Sequence, residues 1–96
     1  MTRLTTDYQA SLIAALRDPE EAAAYLTAAL AEQDIPTFLL ALRNVAEAKG
    51  MDALVAKAQL NPESLSHMLS AQGNPPLASV QALLRALDLA LTVTAP

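Results

Sequence analysis

Side chains able to do chemistry are sparse in this sequence. Its 96 residues hold one His, no Cys, ten carboxylates and six Lys or Arg. His67 would act as a zinc ligand or general base only with partners converging on it, and no second His stands one helical turn away. Glu20 and Glu21 form a carboxylate pair, but a place in a first helical turn, where the dipole favours negative charge, already accounts for them. Ser64 and Ser66 have neither a neighbouring base nor the glycines of a nucleophile elbow. The expectation is a protein that is not an enzyme and has no metal or cofactor site. What remains is recognition chemistry. Pro62, Glu63, Ser64, Ser66, His67 and Ser70 would face solvent from one short helix headed by Asn61, a DNA-binding candidate with them, while Leu65, Met68 and Leu69 pack inward or at the flank. Ser can bond almost any base edge, Glu can accept from cytosine, and His can reach phosphate. Any solvated helix also offers such a face, and that plain alternative stays open at this point.

The elements that would position this face lie between Met51 and Ser70. Leu54 and Val55 mark one short helix, Leu65 and Leu69 a second, and Gln59-Leu60-Asn61-Pro62 links them. Asn61 is a good N-cap and Pro62 suits the first helical position, where no N–H is needed. Glu63 agrees with the dipole, and Leu60 can tuck under the following helix as a hydrophobic peg. This is the outline of a helix-turn-helix.

LVAKAQLNPESLSHML, followed by GNPPLASVQALLRALDLAL, resembles the HigA-like antidote proteins of bacterial addiction modules, within the lambda-repressor-like helix-turn-helix class. The matching positions are Asn61, Glu63, Ser64, Leu65, Leu69, Gly73, Asn74 and Pro75, and the order of elements agrees from about Ala22 to Val93. The sequence departs from that family in several places. Members usually have a small residue in place of Val55, Gly in place of Gln59, and Lys or Arg in place of Pro62, His67 and Pro76. The resemblance implies an antitoxin that binds its own operator DNA as a repressor. It also implies a RelE/ParE-like toxin partner, of basic ribonuclease fold, neutralised by contact.

Composition is that of a packed helical body: 53% hydrophobic, 17% charged and only two Gly. The length suits one domain, with residues 1–35 as a helical extension and 36–96 as the DNA-binding core. Charge is divided unevenly. Up to Ala48, three Arg face seven carboxylates; from Lys49 on, Lys49, Lys57 and Arg85 balance Asp52, Glu63 and Asp88. The net charge of −4 therefore lies entirely ahead of the reading head. An acidic front half, Asp7 to Glu47, could meet a basic partner while the neutral back half meets DNA, weakly unless a homodimer doubles the contacts. Lys57 and Lys49, with Arg43 and Arg85, are the candidate phosphate contacts, though each could instead balance Glu47, Asp52 or Asp88. Absence of Cys fits a reducing compartment, and no apolar run approaches the ~18 residues of a membrane span, so a soluble, cytoplasmic protein is expected.

In chain order, Met1 to Thr6 reads as a frayed terminus. Tyr8, Leu12, Ile13 and Leu16 form a first helical stripe, closed by Arg17-Asp18-Pro19. Asp18 caps and Pro19 opens a second helix with Ala22, Tyr25, Leu26, Ala29 and Leu30 inward. Asp34-Ile35-Pro36 opens a third, with Phe38, Leu39, Leu42, Val45 and Ala46 inward and Gly50 as its stop. After the helix-turn-helix, Gln72-Gly73-Asn74-Pro75-Pro76 is a loop. Leu77, Val80, Leu83, Leu84 and Leu87 then mark a last helix lying under both helices of the reading head. Leu89, Leu91 and Val93 alternate, which reads either as a short strand pairing with a second copy or the toxin, or as an extended tail on the core. The fold class is all-α, a five- to six-helix lambda-repressor-like domain. Two further functions stay open: a stand-alone helix-turn-helix regulator, and a protein-interaction module that has lost DNA binding.

Overall fold

The computed structural model describes residues 2–70 and 72–96, with side chains from Asp7 onward. Six helices follow one another: α1 (Thr2–Ala15), α2 (Pro19–Ala31), α3 (Ile35–Lys49), α4 (Met51–Ala58), α5 (Pro62–Met68) and α6 (Leu77–Ala86). Three of the starts use the same local chemistry. Asp18 holds an extended backbone, accepts from the Glu20 N–H at 3.0 Å and is followed by Pro19. Asp34 accepts from the Thr37 N–H at 3.1 Å ahead of Pro36. Asn61 accepts from the N–H groups of Glu63 and Ser64 at 2.8 and 3.3 Å ahead of Pro62. Each cap satisfies donors that the first turn would leave unpaired, and each proline sits where its missing N–H costs nothing.

The ends of α2, α3, α4 and α6 are closed by residues in the left-handed region. Gly50 alone separates α3 from α4, at φ 103, donating to Ala46 O at 2.9 Å and accepting from Leu54 N. A β-carbon on Gly50 would meet nothing, so the backbone angle is what requires glycine there. Gln33, Gln59 and Asp88 adopt positive φ without being glycine. Gln59 stands at the position where the resembling proteins carry Gly. The structure gives the reason for that Gly: the residue ends α4 in the left-handed conformation, and Gln tolerates it with some strain.

α3 is the centre, packed against α1, α2 and α4, while α4 also packs against α5 and α6. One continuous core runs from Leu16 to Leu87 and includes Leu16, Ala22 and Leu26 from the first 35 residues. Its largest fully buried side chains are Leu39 and Leu42 of α3, Leu54 of α4, Leu65 of α5 and Leu83 of α6. Each such leucine contributes about 1.5–3 kcal/mol of transfer free energy. The effect matters most for α5, because a seven-residue helix has no stability of its own.

Several expectations are corrected. Helical backbone begins at Thr2, not after a frayed Met1–Thr6: no Gly or Pro interrupts Thr2–Ala15, so the helix propagates past its apolar stripe. Tyr8 of that stripe is 72% exposed. Leu30 and Leu77 are also exposed, at the last turn of α2 and the first turn of α6, where fewer neighbours cover them. α6 packs principally on α4 rather than evenly under α4 and α5. Among the described residues there is no strand. The tail from Leu89 runs as irregular chain beside α2, where Leu89 and Leu91 border a cleft with Leu26, Thr27 and Leu30. The tail takes the second of its two expected courses, an extended chain on the core, since a strand needs a partner edge for its N–H and C=O groups and none is offered among the described residues. No described helix is long and apolar enough to cross a membrane.

Asn44 is the buried polar residue that periodicity did not single out. Its amide donates to the Tyr25 hydroxyl at 2.9 Å and its oxygen accepts from Gln9 Nε2 at 3.3 Å, linking α1, α2 and α3. The signal for it was indirect: Asn44 falls beside Val45 on the same inward arc as Ala41.

Candidate nucleic-acid interface

α5 is set on the body by its inward side. Leu65, Met68 and Leu69 are buried, while Pro62, Glu63, Ser64, Ser66 and His67 are exposed. The polar and apolar residues therefore separate as the sequence reading expects. Asn61, also exposed, spends its side-chain oxygen on the cap, so its contribution is to set the direction of the helix. Leu60 packs, half-buried, against the core and holds the turn.

Ser70 departs from the expectation that it faces solvent. It is half-buried, and its hydroxyl donates to His67 O at 2.7 Å, satisfying a carbonyl at the end of α5. Its role is closure of the helix rather than display. Gly73 buttresses the same end. A β-carbon there would overlap the Met68 carbonyl oxygen and crowd His67 O, so backbone meets backbone and no larger residue fits. Beyond it, Ser64 and His67 share a shallow cleft with Asn74, Pro75, Pro76 and Ser79. The Gly73-Asn74-Pro75 run thereby shapes one border of the exposed face.

The candidate cations lie elsewhere. Lys49 Nζ is 3.2 Å from Asp88 Oδ2 and Lys57 Nζ is 3.1 Å from Asp88 Oδ1, both held at the end of α6. The two lysines keep the Asp88 carboxyl below the usual carboxylate range, first through their hydrogen bonds and then through their charge. Arg43 pairs with Glu47 at 3.5 Å along α3. Arg85 lines a groove with Lys57 and Gln81 between α4 and α6. The structure thus assembles Asn61, Pro62, Glu63, Ser64, Ser66 and His67 on one short helix, and collects Lys49 and Lys57 around a carboxylate. The outward face of α5 itself carries Glu63 and no Lys or Arg. All seven carboxylates of the front half are exposed.

A family model described as probable addiction module antidote protein matches residues 6–95 of the chain. A Haemophilus influenzae protein described as uncharacterized is 36% identical over 78 residues, covering 81% of this chain and 80% of that protein. No solved structure matches.

Proposed function

From the premise that this chain belongs to the family of probable addiction module antidote proteins, we infer that it is the antitoxin of a type II toxin-antitoxin module. It neutralises a RelE/ParE-like toxin by direct binding, with no catalytic step, and represses its own operon by binding operator DNA through a lambda-repressor-like helix-turn-helix formed by α4 and α5. The observation that carries the DNA reading is the exposed row Pro62, Glu63, Ser64, Ser66 and His67 on a helix whose other side is anchored by Leu65, Met68 and Leu69. Small hydroxyls and a single acceptor carboxylate suit base edges, and the N-terminal half of such a helix is the part that enters a major groove. A homodimer in the cytoplasm is the working form, because one short helix with few cations gives too little affinity alone. The exposed carboxylates of the front half favour contact with a basic toxin.

The test is a gel shift on the DNA upstream of the reading frame across a salt series, together with copurification of the neighbouring gene product. Wild type should shift that DNA, losing affinity as salt rises, and Ser66→Ala with His67→Ala should weaken the shift about tenfold and relax sequence preference. Unchanged binding and preference in those variants would remove α5 from the readout. One observation favours a second reading, a protein-interaction module without DNA affinity: Lys49 and Lys57 are both committed to Asp88. Retained copurification with no shift at any salt would select it.

A further inference from the structure

All three cations of the back half gather around one end of α6. Lys49 lies in the last turn of α3, Lys57 in the last turn of α4 and Arg85 in the last turn of α6, places that each helix dipole favours. Packing of α4 against both α3 and α6 brings those three ends together. A shallow groove beside them is lined by Lys57, Arg85 and Gln81 over a floor of Ala58, Ala78 and Ala82, and no carboxylate lines it. Such a floor lets a polymer backbone approach closely, with Gln81 adding hydrogen-bonding capacity.

One carboxylate stands at its edge. Asp88 occupies the left-handed position after α6, where its N–H donates to Arg85 O at 3.0 Å and that of Leu89 donates to Leu84 O at 2.8 Å. This pair of bonds is the Schellman closure. It presents the Asp88 side chain outward, and each of its two oxygens takes one lysine. Among the described residues no other carboxylate is shared by two cations.

We propose that this groove, together with the Lys49 ammonium that lies outside it and is joined to Lys57 through Asp88, is a phosphodiester site, in which Lys49, Lys57 and Arg85 hold a nucleic-acid backbone and Asp88 is the internal competitor. A carboxylate and a phosphodiester each spread one negative charge over two oxygens, so the ammonium pair that grips the first is arranged for the second. Displacement costs little. The Asp88 side chain is 59% exposed and its partners 40% and 49%, and exposed ion pairs of this kind are weak. Release of counterions from the duplex supplies the gain. The site rests on the proposed DNA-binding reading for its ligand class, but it reads phosphate and no sequence.

The experiment uses the full chain with two probes, a random-sequence duplex and the DNA upstream of the reading frame. Asp88→Asn retains a residue tolerated in the left-handed region. It should bind the random duplex about tenfold more tightly, with a log–log salt slope steeper by about one to two. Adding Lys49→Ala and Lys57→Ala should abolish that gain. If Asp88→Asn melts early, Arg85→Ala in the otherwise native chain serves instead, with about threefold weaker random-duplex binding expected. An unchanged affinity and slope in a folded Asp88→Asn, a gain that survives loss of both lysines, or an Arg85→Ala with native affinity would each overturn the site. Preference for the upstream DNA is a separate readout of α5. Its absence alongside an Asp88→Asn gain leaves the groove standing and removes sequence reading. Its presence with no Asp88→Asn effect removes the groove alone.

Discussion

The α2–α3 corner and the α4–α5 corner are built from the same parts and put to different uses. In each, a glutamine in the left-handed region, Gln33 or Gln59, ends one helix. A side-chain cap, Asp34 or Asn61, then opens the next, with Pro36 or Pro62 in its first turn. The helices that follow differ. α3 runs 15 residues and buries seven, so it is the wall against which the others pack. α5 runs seven residues, with Leu65 and Met68 buried and a row of short polar side chains outward. The turn chemistry sets where each helix starts. The breadth of the apolar arc decides whether it supports the body or displays a surface.

The largest effect that would break this contrast is loss of the α5 anchor. Leu65→Ala should cost about 2–5 kcal/mol, measured by urea unfolding, whereas Ser66→Ala on the opposite face should leave stability within about 0.5 kcal/mol. Equal costs would mean that α5 is not two-faced. The two glycines sharpen the comparison next. Gly73→Ala and Gly50→Ala should each cost about 1–3 kcal/mol, the first through the Met68 carbonyl and the second through backbone angle. Thermal melts check both, and on the proposed DNA-binding reading only Gly73→Ala should also weaken the gel shift, because it bears on the end of α5.

The caps come third. Asp34→Ala and Asn61→Ala should each lose about 1 kcal/mol, but a gel shift should separate them, since only Asn61 directs the exposed helix. Fourth, Gln33→Gly and Gln59→Gly should each raise stability by about 0.5–1 kcal/mol, the relief of left-handed strain exceeding the added entropy of the unfolded chain. A drop in melting temperature for either would show that the glutamine side chain holds the corner. The smallest effect concerns pH. Asp88 has a lowered pKa in the fold, so its stabilisation is present above its unfolded value and fades as pH falls through the folded one. Asp88→Asn should flatten part of the acid limb of the melting profile, and added salt should hide the difference because the pair is exposed.

Local signals were legible wherever a short segment settles its own geometry. Asp18-Pro19, Asp34-Ile35-Pro36 and Asn61-Pro62 mark helix starts through bonds made within three residues, and the structure shows all three. Spacing picked out Phe38, Leu39, Leu42, Val45 and Ala46 of α3 and Leu65 and Met68 of α5 as inward, and missed Ala41 and Asn44. Legibility failed where the answer depends on what lies across the fold. Leu89, Leu91 and Val93 alternate like a strand, but Leu89 and Leu91 border a cleft beside α2 while Val93 is exposed. Tyr8, Leu30 and Leu77 continue apolar stripes beyond the reach of their neighbours. Ser70 looks like a surface residue in sequence and closes α5 in the structure.

The amino-acid sequence by itself determined an all-helical chain, the capped starts of α2, α3 and α5, and the separation of polar from apolar residues on α5, because propensity, capping and periodicity act over a few residues. Only the tertiary structure decided where the charges act. Lys49 and Lys57 lie 39 and 31 residues from Asp88, and no local rule links them. It is the packing of α4 against α3 and α6 that delivers two ammonium groups to one carboxylate.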